Sequence, residues 1–206
     1  MTEKKPRKKG MLLMLAGLIL VFAAAALVWY NRYEDARSGE ESALVLTKLE
    51  EATSKAQAES PDYRMPMVSI DGRDYIGRIR IDSLDINLPL MAYWEEADSR
   101  IAPCRYTGSA YNNTLVLCGH NYRTMFGPIH RIEEGAAVVL TDVNGNVFTY
   151  EVSEVYTLGA EDVEEMVTGD EWDLTLFTCT LGGQSRITVR CVQKNPAQVQ
   201  PDPAAE

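Results

Sequence analysis

The stretch from Leu174 to Gln193 reads LTLFTCTLGGQSRITVRCVQ and contains two strand signals around a pair of glycines. The first run, LTLFT, is apolar and β-branched, and it ends at Cys179. Gly182-Gly183 then interrupts regular structure. The second run, RITVRCV, alternates polar and apolar residues as a half-buried strand does. The pattern predicts a thiol at the end of one strand and the guanidinium of Arg186 at the start of the next.

Cys179 and Arg186 form a pair suited to acyl chemistry. A thiolate is the reactive form of cysteine, and a nearby cation stabilises it. Arginine stays protonated at any working pH and donates to the oxyanion of a tetrahedral intermediate. Arg190 falls on the same strand face and is the second candidate for this role. The alternative is that Cys179 is a buried core cysteine and Arg186 a surface arginine.

The chain contains two histidines, and each is a candidate for proton transfer. His120 follows TLVLCG, a buried-type strand in which Gly119 permits close backbone approach. His130 lies in MFGPIHRI, which predicts one short helical turn at the surface. A strand end holds a side chain rigidly, so we expect His120 to be the acid–base group and His130 an ordinary surface histidine.

Three short motifs, taken together, resemble the sortase family, the cysteine transpeptidases of Gram-positive cell surfaces. They are GHN with His120, LFTC with Cys179 and SRITVR with Arg186. The upstream runs YIGRIRI (residues 75–81) and LPL (residues 88–90) also resemble the opening strands of that domain. The resemblance covers residues 70–194 and depends on the order and strand context of the motifs.

The resemblance implies a mainly β fold, a sortase-like closed β-barrel with short helices, and a thiol mechanism. Cys179 would attack an LPXTG-like C-terminal sorting signal of a surface protein, and Arg186 would bind the oxyanion. His120 would protonate the leaving amine and later accept a proton from the incoming amine of a peptidoglycan precursor or a pilin. Thr178 and Asn121 would contact the peptide. Neither a cofactor nor a metal is implied.

Residues 1–30 predict one transmembrane helix. Residues 1–10 form a basic tail, and residues 11–30 carry no charge and end in Trp29-Tyr30. About 20 apolar residues span a bilayer as a helix. The preceding basic cluster predicts a single-pass protein of the cell membrane, with a cytoplasmic amino terminus and an extracellular catalytic domain. The alternative is a cleaved signal peptide that uses the small residues Ala23–Ala26, but the apolar run is long for such a segment.

The rest of the chain divides into a helical stalk or linker (residues 31–66), a catalytic barrel (67–194) and a disordered tail (195–206). A helix is predicted from Ser38 to Ser60, and it either forms a stalk or packs on the barrel. Its apolar face carries Val45, Leu49, Ala52 and Ala56. Pro61-Asp62-Tyr63 matches the lid segment of pilus-building sortases poorly, so we favour a plain linker there.

Many short strands with turns between them predict a closed or nearly closed barrel. The run NVFTYEVSEV after Asn144-Gly145 predicts the second strand of a hairpin. Pro89 predicts a sheet edge or a strand end, because proline has no N–H to donate to a ladder. Residues 94–111 are expected to be irregular, with Cys104 in a loop, and residues 159–172 to be partly helical.

Charge and cysteine content exclude some functions and leave others open. A net charge of −10 argues against a nucleic-acid partner. Four cysteines permit disulfides outside the cell. Cys118 is close to His120 in sequence, but a zinc site is disfavoured because no C-x-x-C pair is present. We expect Cys118 and Cys191 to be buried free thiols. A hydrolytic cysteine peptidase and a non-catalytic membrane-anchored scaffold with the same barrel are the alternative functions.

Overall fold

The computed structural model describes residues 7–53, 65–95, 98–166, 169 and 171–194. The chain divides into two compact units, Met1–Arg37 and Ser38–Glu206. The described helix is α1 (Arg7–Thr53), and four short 3-10 helices lie among the strands. The strands are β1 (Val68–Ile70), β2 (Arg73–Ile81), β3 (Ile86–Met91), β4 (Cys104–Thr107), β5 (Leu115–Gly119), β6 (Ala137–Asp142), β7 (Val147–Gly159), β8 (Leu174–Cys179) and β9 (Ser185–Gln193).

Some sequence predictions fall outside the described residues. They are the start of the basic tail (residues 1–6), the end of the helix predicted to reach Ser60, the segment Pro61-Asp62-Tyr63 and the tail 195–206.

The described residues of the amino-terminal unit all belong to α1, and they include its apolar stretch. Among the described residues, the helix Gly10–Thr53 is long and apolar enough to cross a membrane, and its most apolar 18-residue window has a mean hydropathy of 2.8. None of its most apolar window is buried. The rings of Trp29 and Tyr33 stack with their centroids 5.9 Å apart. By length and composition this segment is a candidate membrane span.

Eight strands close into a barrel in the order β2-β3-β4-β5-β8-β9-β7-β6, and β6 pairs back to β2. β1 is a ninth strand that pairs with the start of β2. Most neighbouring strands are antiparallel, but the β3–β4 and β5–β8 pairs are parallel. The prediction of a mainly β, closed barrel with short helices is therefore confirmed.

The barrel strands alternate between an interior layer and an outer layer. On β8, Leu174 and Leu176 belong to the interior cluster, whereas Phe177 belongs to the outer one. The interior cluster includes large side chains that are fully buried, among them Ile76, Ile79, Leu90, Leu115, Leu117, Phe126, Phe148 and Tyr150. Two-residue periodicity places neighbouring side chains of each strand on opposite faces. This alternation decides which side chains of the site point out of the barrel.

The part of α1 that belongs to the second unit packs on the outer layer of the barrel. Leu49 is 2% exposed and Val45 packs beside it in the same cluster. The hydroxyl of Ser42 donates to the carbonyl of Ile101. The predicted apolar face therefore packs on the barrel through Val45 and Leu49, because it covers apolar side chains that would otherwise face water.

The predicted irregular stretch 94–111 contains a strand. β4 is four residues long, and a bulge between Arg105 and Thr107 interrupts its pairing with β5. A strand this short and irregular shows no alternation that sequence could reveal. Cys104 is therefore not in a loop. It is buried opposite Cys118, and the two sulfur atoms are 3.4 Å apart.

The proline and hairpin predictions agree with the structure. Pro89 pairs with Arg78 of β2, while β3 meets β4 only at Met91, so Pro89 has a partner strand on one side. The β6–β7 turn forms around the buried carboxylate of Asp142. This carboxylate accepts from the backbone N–H groups of Asn144 and Asn146 at 2.9 and 2.8 Å, and from the hydroxyl of Tyr111.

Candidate active site

The ends of β5, β8 and β9 bring the three predicted catalytic residues to one edge of the barrel. β8 and β9 pair Cys179 directly with Arg186. β5 and β8 pair Gly119 with Thr178 as their last partners, so His120 and Cys179 are the next residues along the same register. Adjacent strands lie about 4.8 Å apart. Three positions that are distant in sequence are therefore neighbours at the backbone.

The alternation of the strands places the three side chains on the outer face. On β5, Leu117 faces the interior and Cys118 the outer layer, so His120 falls on the outer side. On β9, Ile187 packs against the interior cluster, which puts Arg186 on the outer side. Cys179 follows the same rule two residues after Phe177. The chemical groups thus share one face of the sheet.

Cys179 differs from the other three cysteines in its exposure. It is half-buried, whereas Cys104, Cys118 and Cys191 are buried. Burial raises the pKa of the Cys191 thiol. The hydrogen bond between the thiols of Cys118 and Cys104, with burial as a second cause, raises the pKa of Cys118. These two thiols are held in the protonated form, so Cys179 is the cysteine best placed to act as a nucleophile. The expectation that Cys118 and Cys191 are buried free thiols is met.

The loop after Cys179 is tightly organised. Thr180 N–H donates to Ser185 O and Gly183 N–H donates to Thr180 O, both at 2.9 Å. Gly182 and Gly183 have φ of +90° and +74°, which only glycine adopts readily. The predicted glycine break is therefore a compact turn that leads from β8 to β9.

The guanidinium of Arg186 is attached to this loop. Its Nη1 donates to the carbonyl oxygens of Gly183 at 2.8 Å and Ser185 at 3.1 Å. Within the described part of the chain, Arg186 makes no hydrogen bond through its other nitrogens. The carbonyl contacts hold the guanidinium against the loop that follows Cys179 and leave its other nitrogens as donors for a substrate oxygen.

His120 is half-buried and held on several sides. Its Nε2 lies 3.0 Å from the hydroxyl of Ser99, and its ring stacks on that of Tyr122 with the centroids 5.0 Å apart. Gly119 before it packs against the ring of Phe126, and a Cβ there would lie 2.8 Å from that ring. The prediction that Gly119 permits close approach is confirmed, with an aromatic ring as the neighbour.

Ser99 is the residue of this site that sequence reasoning missed. It is 4% exposed and lies in a turn anchored from two directions. Next to it, Asp98 forms a 2.7 Å salt bridge with Arg73 of β2, and this hydrogen bond raises the pKa of Arg73. On the other side, Ile101 is bound by Ser42. A serine within an irregular segment carries no pattern that would have identified it.

An open cleft of about 690 Å³ lies at the barrel mouth and is lined by Cys179. Both residues predicted to contact the peptide, Thr178 and Asn121, also line it. The hydroxyl of Thr178 donates to Gly119 O at 2.8 Å and so ties β8 to β5. The other lining residues are Arg123, Gly127, Pro128, His130, Arg131, Thr180, Leu181 and Ile187.

The structure distinguishes the two secondary candidates. His130 is exposed on the 3-10 helix Gly127–Arg131, as predicted, yet it also lines the cleft. Arg190 lies further along β9, where its guanidinium stacks on Trp172 at 3.7 Å and on Tyr156 at 4.4 Å. It also donates to Glu154 at 3.1 Å. Arg190 is thus committed to packing the β7–β8 connection, so Arg186 is the better candidate.

This fold and site define a closed β-barrel with a cysteine at its rim, and comparisons with known proteins give its family. A family model described as the Sortase domain matches residues 79–194, more than half of the chain. The chain therefore belongs to the sortase family, which consists of cysteine transpeptidases of surface proteins.

Similar proteins include both sortase A and sortase C. The chain is 24% identical to Sortase A of Bacillus anthracis over 177 residues, covering 78% of this chain and 84% of the relative. The structure of Listeria monocytogenes sortase A matches with a TM-score of 0.52 and 23% identity, over 59% of this chain and 88% of that one. The structure of Streptococcus pneumoniae Sortase C matches with a TM-score of 0.56 and 18% identity, over 81% and 97%. At these identities the structural matches support the fold.

Proposed function

We propose that this protein is a membrane-anchored transpeptidase that cleaves an LPXTG-like sorting signal in surface proteins. The acyl group passes to Cys179 as a thioester and then to an amine of a peptidoglycan precursor or a pilin. The observation that carries the proposal is the convergence of a half-exposed cysteine, a histidine and an arginine on three adjacent strand ends.

Each side chain has a defined part in this reaction. The Cys179 thiolate attacks the peptide carbonyl, and Arg186, held by two loop carbonyls, donates to the oxyanion. The protonated ring of His120 gives its proton to the leaving amine, and the neutral ring later takes one from the attacking amine. The hydroxyl of Ser99 is able to donate to a neutral ring nitrogen and to accept from a protonated one, so its contact with Nε2 suits both states.

The cleft provides the place for a peptide next to the thiol. Thr178 and Asn121 line it and are proposed to contact the substrate. A related structure, sortase C of Clostridium perfringens, was determined with the C-terminal cell wall sorting motif. That relative supports a sorting signal as the substrate class.

The apolar helix supports membrane attachment. An apolar stretch with a mean hydropathy of 2.8 over 18 residues near the amino terminus is suited to a single-pass anchor, and the basic residues before it favour a cytoplasmic amino terminus. The barrel would then lie outside the cell, where its surface-protein and cell-wall partners are found.

The test uses the full chain in detergent micelles with a library of LPXTG-like peptides and several amine acceptors. Mass spectrometry identifies joined products. Cys179→Ala is expected to abolish cleavage, while Cys104→Ala, which removes a buried thiol of the same type, retains it. Cleavage by Cys179→Ala at the wild-type rate would refute covalent catalysis at this residue.

The same experiment separates the alternative functions. A hydrolytic peptidase would release free carboxylate product even with abundant amine, and a scaffold would cleave none of the peptides. His120→Ala is expected to be inactive and His130→Ala to keep nearly normal cleavage. The reverse result would show that His130, and not His120, is the acid–base group.

A further inference from the structure

The cleft beside Cys179 combines an apolar floor with a cationic rim. Pro128, Leu181 and Ile187 provide apolar surface, and Leu181 is 94% exposed on the loop that follows Cys179. Exposed leucines are common, but this one stands at the mouth of the cleft that holds the nucleophile. A peptide or acceptor entering the cleft would cover it.

Three basic side chains line this cleft, and none of its lining residues is acidic. They are Arg123, His130 and Arg131, all from the segment that follows His120. The nearest acidic residues in sequence, Glu133 and Glu134, are exposed and do not line the cleft. The chain as a whole has a net charge of −10, whereas the charged side chains that line this cleft are basic. The local charge is therefore opposite in sign to that of the whole protein. Such a reversal attracts anionic ligands.

Two of these groups differ in their contacts with the rest of the protein. The Nδ1 of His130 lies 2.6 Å from Gly127 O, so Nδ1 carries the hydrogen and donates it to this carbonyl. Arg131 forms no salt bridge within the described part of the chain. Its charge is therefore not neutralised by a protein carboxylate there.

We propose that this cationic rim is a subsite for a carboxylate on one of the two reactants that meet at Cys179. The inference rests on the proposed function and adds to it a substrate chemistry. The carboxylate has two possible sources, the sorting signal or the amine acceptor, and both would bring the same group to Arg123 and Arg131. A guanidinium binds a carboxylate with two parallel hydrogen bonds, which gives orientation as well as attraction.

The first experiment measures the sign of the electrostatic potential at the sulfur atom of Cys179, and it needs no catalytic turnover. Cys179 in the full chain is modified by two methanethiosulfonate reagents, one bearing a sulfonate and one a trimethylammonium group. In each case the thiolate attacks the reagent sulfur, a mixed disulfide forms and methanesulfinate leaves. At low ionic strength, and with each rate divided by the rate of the same reagent with free cysteine, the anionic reagent is expected to be favoured; added salt is expected to reduce this preference.

The arginine variants report whether the rim causes this potential. Arg123→Gln and Arg131→Gln are each expected to change the two rates about two- to threefold in opposite directions, so the ratio falls about fourfold or more. Lys194→Gln is the matched control, because Lys194 lies at the far end of β9, where it pairs with Glu151. Thermal melting confirms that each variant is folded. An unchanged ratio in both arginine variants overturns the proposal.

The second experiment identifies the source of the carboxylate by protection of Cys179 from a neutral reagent, methyl methanethiosulfonate. Protection by glycylglycine but not by its amide assigns the subsite to the acceptor. Protection by the amide of Leu-Pro-Glu-Thr-Gly, but not by its glutamine analogue, assigns it to the sorting signal. Either preference should be lost in Arg131→Gln.

If neither carboxylate compound protects Cys179 better than its amide counterpart, the proposed subsite is wrong, even if the electrostatic potential at the sulfur atom is positive. Both experiments read modification of the thiol rather than transfer, so they separate this inference from the proposed function. The protein could show a charge preference in thiol modification and yet join no peptide to any amine. That result would refute the proposed transpeptidation and leave the carboxylate subsite standing.

Discussion

Ser99→Ala is expected to slow catalysis with little effect on folding. The substitution removes the hydroxyl that lies 3.0 Å from His120 Nε2 and leaves the backbone of the turn unchanged. A hydrogen bond to a charged partner is worth about 1.5–3 kcal/mol. Because 1.36 kcal/mol corresponds to tenfold in rate, kcat should fall between about tenfold and a hundredfold. The half-buried position of His120 favours the lower end of this range.

The assay compares wild type, Ser99→Ala and Ser99→Thr in peptide transfer across a range of pH. KM should stay constant, since Ser99 does not line the cleft. The hydroxyl accepts a charge-assisted bond from a protonated ring, so its loss should move the His120 limb of the pH–rate profile to lower pH. Ser99→Thr retains the hydroxyl and should restore both rate and profile.

Arg73→Gln provides a second, indirect perturbation. It removes the 2.7 Å contact with Asp98 that anchors the turn, without touching Ser99. We expect a smaller loss of kcat in the same direction. If kcat and the pH profile of Ser99→Ala match those of wild type, the role assigned to Ser99 in holding the imidazole is wrong.

Three further outcomes are expected. Gly119→Ala should lower activity, because its Cβ would lie 2.8 Å from the ring of Phe126. Adding Phe126→Leu to this variant should recover part of the lost activity. A fully active Gly119→Ala variant would contradict the prediction. Diamide, which removes two hydrogens from a thiol pair, should link Cys104 to Cys118, since their sulfur atoms are 3.4 Å apart. Peptide mapping identifies the linked cysteines, and any other pairing would contradict the prediction. Leu181→Ser should leave the melting temperature within the error of the wild-type value and raise KM, because the side chain is 94% exposed; an unchanged KM would remove Leu181 from the substrate path.

The local structure around Cys179 was predictable from the sequence because it depends on short-range patterns. Alternation and β-branching indicated β8 and β9, and a glycine pair indicated the turn between them. Gly119 before His120 indicated a close approach to the strand. Each of these signals lies within a few residues of the feature that it predicts.

Predictions from the sequence were wrong or incomplete where contacts between distant segments override the local pattern. Cys104 was expected in a loop, and it is buried because β4 pairs with β5 across a bulge. Arg190 shares a face with Arg186, and periodicity alone could not show that the rings of Trp172 and Tyr156 engage its charge. His130 is exposed, as predicted, but the local pattern could not show that it also lines the cleft.

Sequence patterns alone were enough to predict the chemical types and their order: an apolar amino-terminal helix, a strand-end histidine, a strand-end cysteine and an arginine across a glycine turn. The tertiary structure decided that they meet. Gly119 and Thr178 are 59 residues apart and become partners through a parallel strand pairing, which no local periodicity encodes. The placement of Ser99 against His120 was likewise decided by the anchoring of an irregular turn to α1 and β2. Side chains from separate segments converge only after the barrel closes, because burial of its interior layer fixes the register of every strand.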